Sequence, residues 1–397
     1  MISPTSGLLQ NRPRRARSSS SRSKGLSRVA SALAALALSL AIGPEVAAAP
    51  CPEPASSGAG LPRMAGIDQI AQQALSGAPL AGVSIAVMRG ADIIHAAGYG
   101  QASIELGAGA GPDTVYRIGS LTKQFTAAAV LRLAELGALK LEDDIRAYIP
   151  AFDTRGRTIT IRQLLDHTSG IASLSAIGPA MRYPELDVTQ EQVLGWLSAA
   201  PFDFEPGERY QYNNSGYWLL GLVIERLTGE TYSAAILRLL ADPLCLTSTR
   251  YDAAADIIPR RASGYVHRDG GFSNAPPNSP TRPYAAGALL SSVLDLVAWQ
   301  HALFGERVLS QTSVSLMTTP SRLGNGRPTA YGMGLAISTF NGRTRIAHPG
   351  GIVGFSSFLS HYPETDITIA VLSNTMGVEL RALLEEPIAQ LLMAPAR

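Results

Sequence analysis

The β-rich runs of this chain lie at its two ends, and that placement limits the fold more than any other feature of the sequence. Near the start, "GVSIAVMRGADIIHAAGYG" (residues 82–100) reads as two strands joined by a turn at residues 89–92, a hairpin. Near the end, "YGMGLAIS", "TRIAHPG", "FSSFLSHYP" and "DITIAVLSN" read as further strands, followed by a closing helix through Leu392. Between them the period changes. From Ser120 onward, Phe125, Ala128, Ala129, Leu131 and Leu136 carry the spacing of a mostly buried helix, stopped by Gly137. "TIRQLLDHTSG" offers Thr160 as an N-cap and Gly170 as a stop. "QEQVLGWLSA" is amphipathic, and "SGYWLLGLVIERLTGE" is apolar on nearly every face until Glu225. "LLSSVLDLVAWQHALF" is again helical. "HRDGGFSNAPPNSPTRPYAAG" is too rich in Pro, Gly and Asn for regular structure and reads as a loop over a site. Strands at both ends must find each other, because a lone hairpin cannot bury a core. The expected fold class is therefore α/β (α+β): an antiparallel sheet built from both chain ends, flanked by helices, with an inserted, mostly helical subdomain.

A domain over residues 67–393 is expected, with residues 67–150 and 285–393 as its α/β part and 151–284 as its helical part. At 397 residues and 46% hydrophobic, the chain can bury a large core. Residues 50–66, opening with "PCPEPASSGAGLPR", read as a linker. Residues 1–49 read as an export signal. Seven bases and no acid occupy the first 28 residues, the apolar run "VASALAALALSLAI" follows, and "EVAAAP" supplies small residues for cleavage. That run is too short to span a bilayer, which takes roughly 20 apolar residues. A periplasmic or secreted location follows, without stable membrane insertion after cleavage.

The formal net charge of +2 belongs to this leader. Without residues 1–49, 26 bases face 30 acids, a net charge of −4, which argues against a nucleic-acid partner. Cys51 and Cys245 are the only cysteines, and in an oxidising compartment they are free to pair, though spacing alone does not require it. The six histidines show no ligand spacing, so neither a metal nor another cofactor is expected.

Chemistry begins at "YRIGSLTKQFTA". Only three lysines occur in the chain, Lys24, Lys123 and Lys140, and Lys123 stands three residues after Ser120 at the start of an apolar helix. Residues three apart on a helix share a face, so the amine reaches the hydroxyl. Serine is a weak nucleophile that needs a base, and burial can lower a lysine's pKa enough to make it one. The signal alone is weak, since Ser21 and Lys24 match the same spacing inside the leader. A second element, Tyr212-Asn213-Asn214 in "PGERYQYNNSGYW", offers a phenol to relay a proton and an amide to hold a lysine or a carbonyl. A third is "AHPGGIVGFSSF". There His348-Pro349-Gly350 ends a strand, and the N–H of Gly351 can join that of Ser120 in an oxyanion hole. Each element also has an ordinary structural explanation in caps, turns and strand ends. Asp166 and His167 near Ser169 suggest a triad, but adjacent residues at a helix end point apart and no Gly-x-Ser-x-Gly elbow exists, so His167 reads as structural.

With the three boxes in order, the chain resembles the serine β-lactamase and DD-peptidase superfamily, in its class C-like branch, over residues 67–392. The branch also includes esterases and D-amino-acid peptidases. The flanking strings "QLLDHTSGI", "PGERYQYNNSGYWLLG" and "GGIVGFSSF" are similar to that family's as well. The resemblance implies that Ser120 is acylated, that Lys123 and Tyr212 exchange its proton, and that Asn214 positions Lys123 and substrate. It places His348 in the electropositive position beside Tyr212, with Gly350 and Gly351 against the substrate. One departure stands out. Since no lysine follows Lys140, His348 fills a place that lysine takes in many relatives, and Pro349 replaces a Thr or Ser whose hydroxyl helps hold a substrate carboxylate. The expectation is an exported serine hydrolase of small-molecule or peptide esters and amides. Its rivals are a DD-carboxypeptidase, a class C-like β-lactamase, and a catalytically silent binding protein of the same fold.

Overall fold

The computed structural model describes Cys51, residues 60–177 and residues 182–394; the expected leader and most of the linker lie outside them. Twelve strands occur among the described residues: β1 (Gly82–Arg89), β2 (Asp92–Ser103), β3 (Ala108–Gly109), β4 (Tyr116–Arg117), β5 (Arg250–Tyr251), β6 (Tyr265–Arg268), β7 (Gly271–Asn274), β8 (Leu289–Ser291), β9 (Ala336–Phe340), β10 (Arg343–Ile352), β11 (Phe355–Tyr362) and β12 (Ile367–Ser373). The main sheet runs β3-β2-β1-β12-β11-β10-β9 and is antiparallel throughout. The two ends of the chain meet at its centre, where β1 pairs with β12 from Val83↔Ser373 to Arg89↔Ile367.

Both central strands are buried on both faces, which is why they read as apolar runs instead of alternating ones. Val83, Ile85 and Val87 face the helices Ala65–Gly77 and Glu386–Met393. Ala86 and Met88, pointing the other way, join the larger core around the helix Thr122–Glu135. In that core Phe125 stacks on Trp299 with ring centroids 4.2 Å apart. Gln124 Oε1 accepts from Trp299 Nε1 at 2.8 Å and Gln300 Nε2 at 2.7 Å, so the carbonyl end of this buried polar residue is satisfied. The helical middle packs on this second face.

Some local expectations change. Thr160 does cap a helix, through a reciprocal pair with Gln163, but the helix is only Ile161–Leu165. It ends early because His167 takes a left-handed φ of 62°, before Gly170 at 72°. The Pro/Gly-rich stretch expected to lack regular structure contains the β6–β7 hairpin, with Gly270 at φ 78° in its turn. "LLS", expected as helix, is strand β8, which lies between β4 and β5; the helix Val293–Phe304 starts only after Ser292 caps Asp295 N–H. The closing helix opens with a wide π-type turn at Arg381–Glu385. Cys51 and Cys245 are disulfide-bonded with Cα atoms 5.4 Å apart, across a sequence separation of 194.

Candidate active site

Ser120 occupies a tight 3₁₀ turn, Gly119–Leu121, that runs directly into the helix Thr122–Glu135. Gly119 is required there twice over. Its φ is +52°, and a Cβ on it would lie 3.0 Å from Gly351 N. The turn is tied to the sheet: Ser357 Oγ on β11 donates to Ile118 C=O at 2.8 Å, and Leu121 N–H donates to the same carbonyl at 3.2 Å. Gly350 on β10 pairs with Ser357, and any side chain at Gly350 would overlap both Ser357 Oγ and Ile118 O. The strand therefore passes close under Ser120 because three small residues allow it. Gly351, one residue on, has nothing within 4 Å of where a Cβ would project.

Lys123 is fully buried one turn along the helix. Its Nζ lies 3.2 Å from Ser120 Oγ, 2.8 Å from Asn214 Oδ1 and 2.8 Å from Ala286 C=O. No carboxylate appears among these partners. Burial drives the pKa of Lys123 well below its ordinary value, toward the neutral amine. A neutral amine has two N–H groups and one lone pair. Asn214 Oδ1 and Ala286 O are both acceptors and use the two N–H groups, which leaves the lone pair for the Ser120 hydroxyl proton.

Tyr212 and Asn214 lie at the start of the helix Asn214–Thr228, which Asn213 caps by accepting from Gly216 N–H at 3.1 Å. The Tyr212 ring stands on the cleft wall, with Lys123 Nζ 4.9 Å from its centroid and the His348 ring centroid at 6.0 Å. Desolvation pushes the Tyr212 phenol above its ordinary pKa, while a hydrogen bond with Ser120 pulls the other way. The net direction keeps the proton on the phenol. Next to a neutral lysine, this is an acid positioned over the same serine.

His348 is buried, and its ring does not offer a charge to the cleft. Nδ1 lies 2.6 Å from Pro349 C=O, an acceptor, so Nδ1 carries the proton. Nε2 then accepts from the Tyr331 hydroxyl at 2.9 Å. Burial lowers the His348 pKa to about 3. The electropositive place expected of His348 is thus held by a neutral ring locked at both nitrogens.

These residues line one cleft of about 780 Å³, with Ser120, Tyr212, Asn214, His348, Gly350 and Gly351 among its walls. Leu174, Val188, Val193, Trp196, Ile352 and Val378 make much of the remainder apolar. Arg282 and Glu379 are its charged members. Arg282 donates from Nε to Leu186 C=O at 2.8 Å and has Glu185 and Asp187 beside it. Glu379 follows Val378, whose N–H donates to Ser356 Oγ, and Ser356 is the β11 partner of Gly351. Sequence reasoning missed three contributors. Ala286 acts through its carbonyl, which no residue type signals; Tyr331 is hidden in a run read as strand; Glu379 follows the last strand in a short loop.

A model of the family described as Beta-lactamase matches residues 67–392. The chain is 29% identical over 327 residues to "Protein flp" of Staphylococcus aureus (strain N315), covering 80% of this chain and 64% of that one. The chain thus spans just under two thirds of that curated relative's length. Among solved structures, the octameric penicillin-binding protein homologue from Pyrococcus abyssi superimposes with a TM-score of 0.72 at 29% identity, covering 82% of this chain and 76% of that one. A D-stereospecific amidohydrolase from Streptomyces sp. superimposes at 0.71 with 26% identity, covering 84% and 100%.

Proposed function

Because the chain belongs to the beta-lactamase family and is a serine hydrolase of the acyl-enzyme type, we propose that it hydrolyses esters and amides of uncharged or amine-bearing acyl compounds through an acyl-enzyme on Ser120. The observation that carries this reading is the environment of Lys123: fully buried, donating to two neutral acceptors, and 3.2 Å from Ser120 Oγ. Ser120 Oγ attacks the carbonyl carbon as its proton passes to Lys123 Nζ. The N–H groups of Ser120 and Gly351 hold the oxyanion that develops. When the tetrahedral intermediate collapses, the leaving group takes a proton from the Tyr212 phenol, which Lys123 then resupplies. Water enters by the same route in reverse and releases the acid.

The charge of the cleft supports the substrate class. Pro349 offers no hydroxyl for a carboxylate, His348 is neutral, and Glu379 adds negative charge to the wall. Arg282 is flanked by two acids. These features disfavour the carboxylate that penicillins and D-Ala-D-Ala ends carry. The similarity to a D-stereospecific amidohydrolase supports amides beside esters. The N-terminal basic and apolar pattern supports export to the periplasm or medium. No helix of the described residues is long and apolar enough to cross a membrane. The test is turnover of p-nitrophenyl esters by the wild type and Ser120→Ala. Activity confined to the wild type, with matching circular dichroism, supports the reading. Equal activity in both contradicts it.

A further inference from the structure

His167 has three unusual properties at once. It is a buried, non-glycine residue at φ 62°, a left-handed conformation that few residues other than glycine adopt. Its carbonyl oxygen accepts from Gln211 N–H at 3.1 Å, and its Nδ1 accepts from Asn213 N–H at 3.1 Å. The amides on either side of Tyr212 therefore both end on this one residue. Since Nδ1 accepts, the ring proton sits on Nε2, and that nitrogen is buried with no hydrogen-bond partner. The imidazole ring packs among aromatic rings, its centroid 4.5, 4.7 and 5.2 Å from those of Tyr212, Tyr331 and Tyr217.

An apolar ring would fill this space without burying an unpaired N–H, so packing alone does not account for a histidine. What an apolar ring lacks is the acceptor for Asn213 N–H. Tyr212 itself is 38% exposed on the cleft wall, so its place over Ser120 depends on the backbone that carries it. Asn213 also caps the helix that begins with Asn214, so the same bond sets the amide that holds Lys123.

We propose that His167 is a positioning residue for acyl transfer, holding Tyr212 and Asn214 in register with Ser120 and Lys123 through the Asn213 N–H bond to Nδ1. This rests on the reading of Ser120 as the acylated serine. The bond orients a proton donor and a lysine partner that matter most in the transition state, so its loss falls on kcat and leaves KM nearly unchanged.

The experiment compares wild type, Ser120→Ala, His167→Asn and His167→Phe on a p-nitrophenyl ester, with circular dichroism and thermal melts on each. Asn tolerates the left-handed backbone, and its Oδ1 stands where Nδ1 does; Phe keeps the ring and removes the acceptor. His167→Phe is expected to lose about tenfold or more in kcat, as misplacement of catalytic groups does, whereas His167→Asn stays within about threefold of wild type. If His167→Phe does not fold, His167→Ala takes its place. If neither folds, His167→Asn alone decides: near-wild-type kcat supports the proposal and a tenfold loss overturns it. A folded His167→Phe with wild-type kcat, or a folded His167→Asn as slow as His167→Phe, also overturns it. Failure of the underlying reading looks different, since Ser120→Ala would then match the wild type whatever the His167 variants do.

Discussion

Lys123 Nζ and Asn214 Oδ1 are 2.8 Å apart although the residues are 91 positions apart in sequence, and neither has a charged partner in that contact. A buried ammonium without a carboxylate is strongly disfavoured, so the pair stores a lysine that gives up its proton easily. Replacing Lys123 by Ala should cut kcat by about 10³-fold, within the range general bases contribute. Circular dichroism should be retained, with a lower melting temperature, since Asn214 Oδ1 and Ala286 C=O lose their donor. Turnover of Lys123→Ala within a few fold of wild type would remove lysine from the mechanism.

Gly350→Ala should slow acylation without disturbing the rest of the sheet. The added methyl would overlap Ser357 Oγ and Ile118 O, the contacts that bring β10 beneath the Ser120 turn. Spreading them displaces Gly351 N–H from the oxyanion position, and losing one such donor costs about 10²-fold or more in kcat. Stopped-flow release of p-nitrophenol reads the acylation step directly. A burst as fast as that of wild type would show that Gly350 does not set the geometry.

Substrate charge should sort turnover. Between p-nitrophenyl butyrate and the p-nitrophenyl half-ester of succinate, the uncharged ester should have the higher kcat/KM by about tenfold or more. Glu379→Gln should narrow that gap and Pro349→Thr should narrow it further, since one removes repulsion and the other restores a hydroxyl. A preference for the succinate ester in the wild type would reverse the substrate assignment.

Acid should destabilise the protein well before its carboxylates are exhausted. Burial lowers His348 to about 3 and both His95 and His361 to about 4, with His167 lowered as well. For such groups the unfolded chain takes up protons near 6.5 while the folded one does not. Stability is therefore full above about pH 6.5 and lost as pH falls toward 4. Asp166 and Asp295, both raised to about 6 by burial, work against this trend, as do the raised Asp252 and Glu385, but they are displaced less from the ordinary carboxylate value than His348, His95 and His361 are from the ordinary imidazole value. Thermal midpoints measured from pH 7.5 to 4 should fall continuously through this window. A flat or rising profile would mean the histidines are not buried neutral.

The sheet made from both chain ends was legible because β1 and β12 are apolar throughout and the helices between them carry a different period. Ser120, Lys123, Tyr212 and Asn214 were legible as short spacings of reactive residue types. What the sequence hid was of another kind. The strand β8 looked helical because its three residues adjoin a strong helix pattern, and only pairing with β4 and β5 separates them. Ala286 contributes a carbonyl, and backbone groups leave no trace in residue type. His167 looked structural because its contacts run to backbone amides 44 and 46 positions away, a relation that no local pattern encodes. The neutral state of His348 depends on Tyr331 and on burial, both set by tertiary packing.

The central claim is that Ser120 becomes covalently acylated, and the direct measurement is the mass of the protein trapped during turnover. Wild type mixed with a p-nitrophenyl ester, quenched in acid within milliseconds and digested, should yield one acylated peptide, with the acyl group on Ser120. Tyr212→Phe should give the same adduct more slowly, and Ser120→Ala none. Steady hydrolysis with no adduct on Ser120, or an adduct on any other residue, would contradict the account.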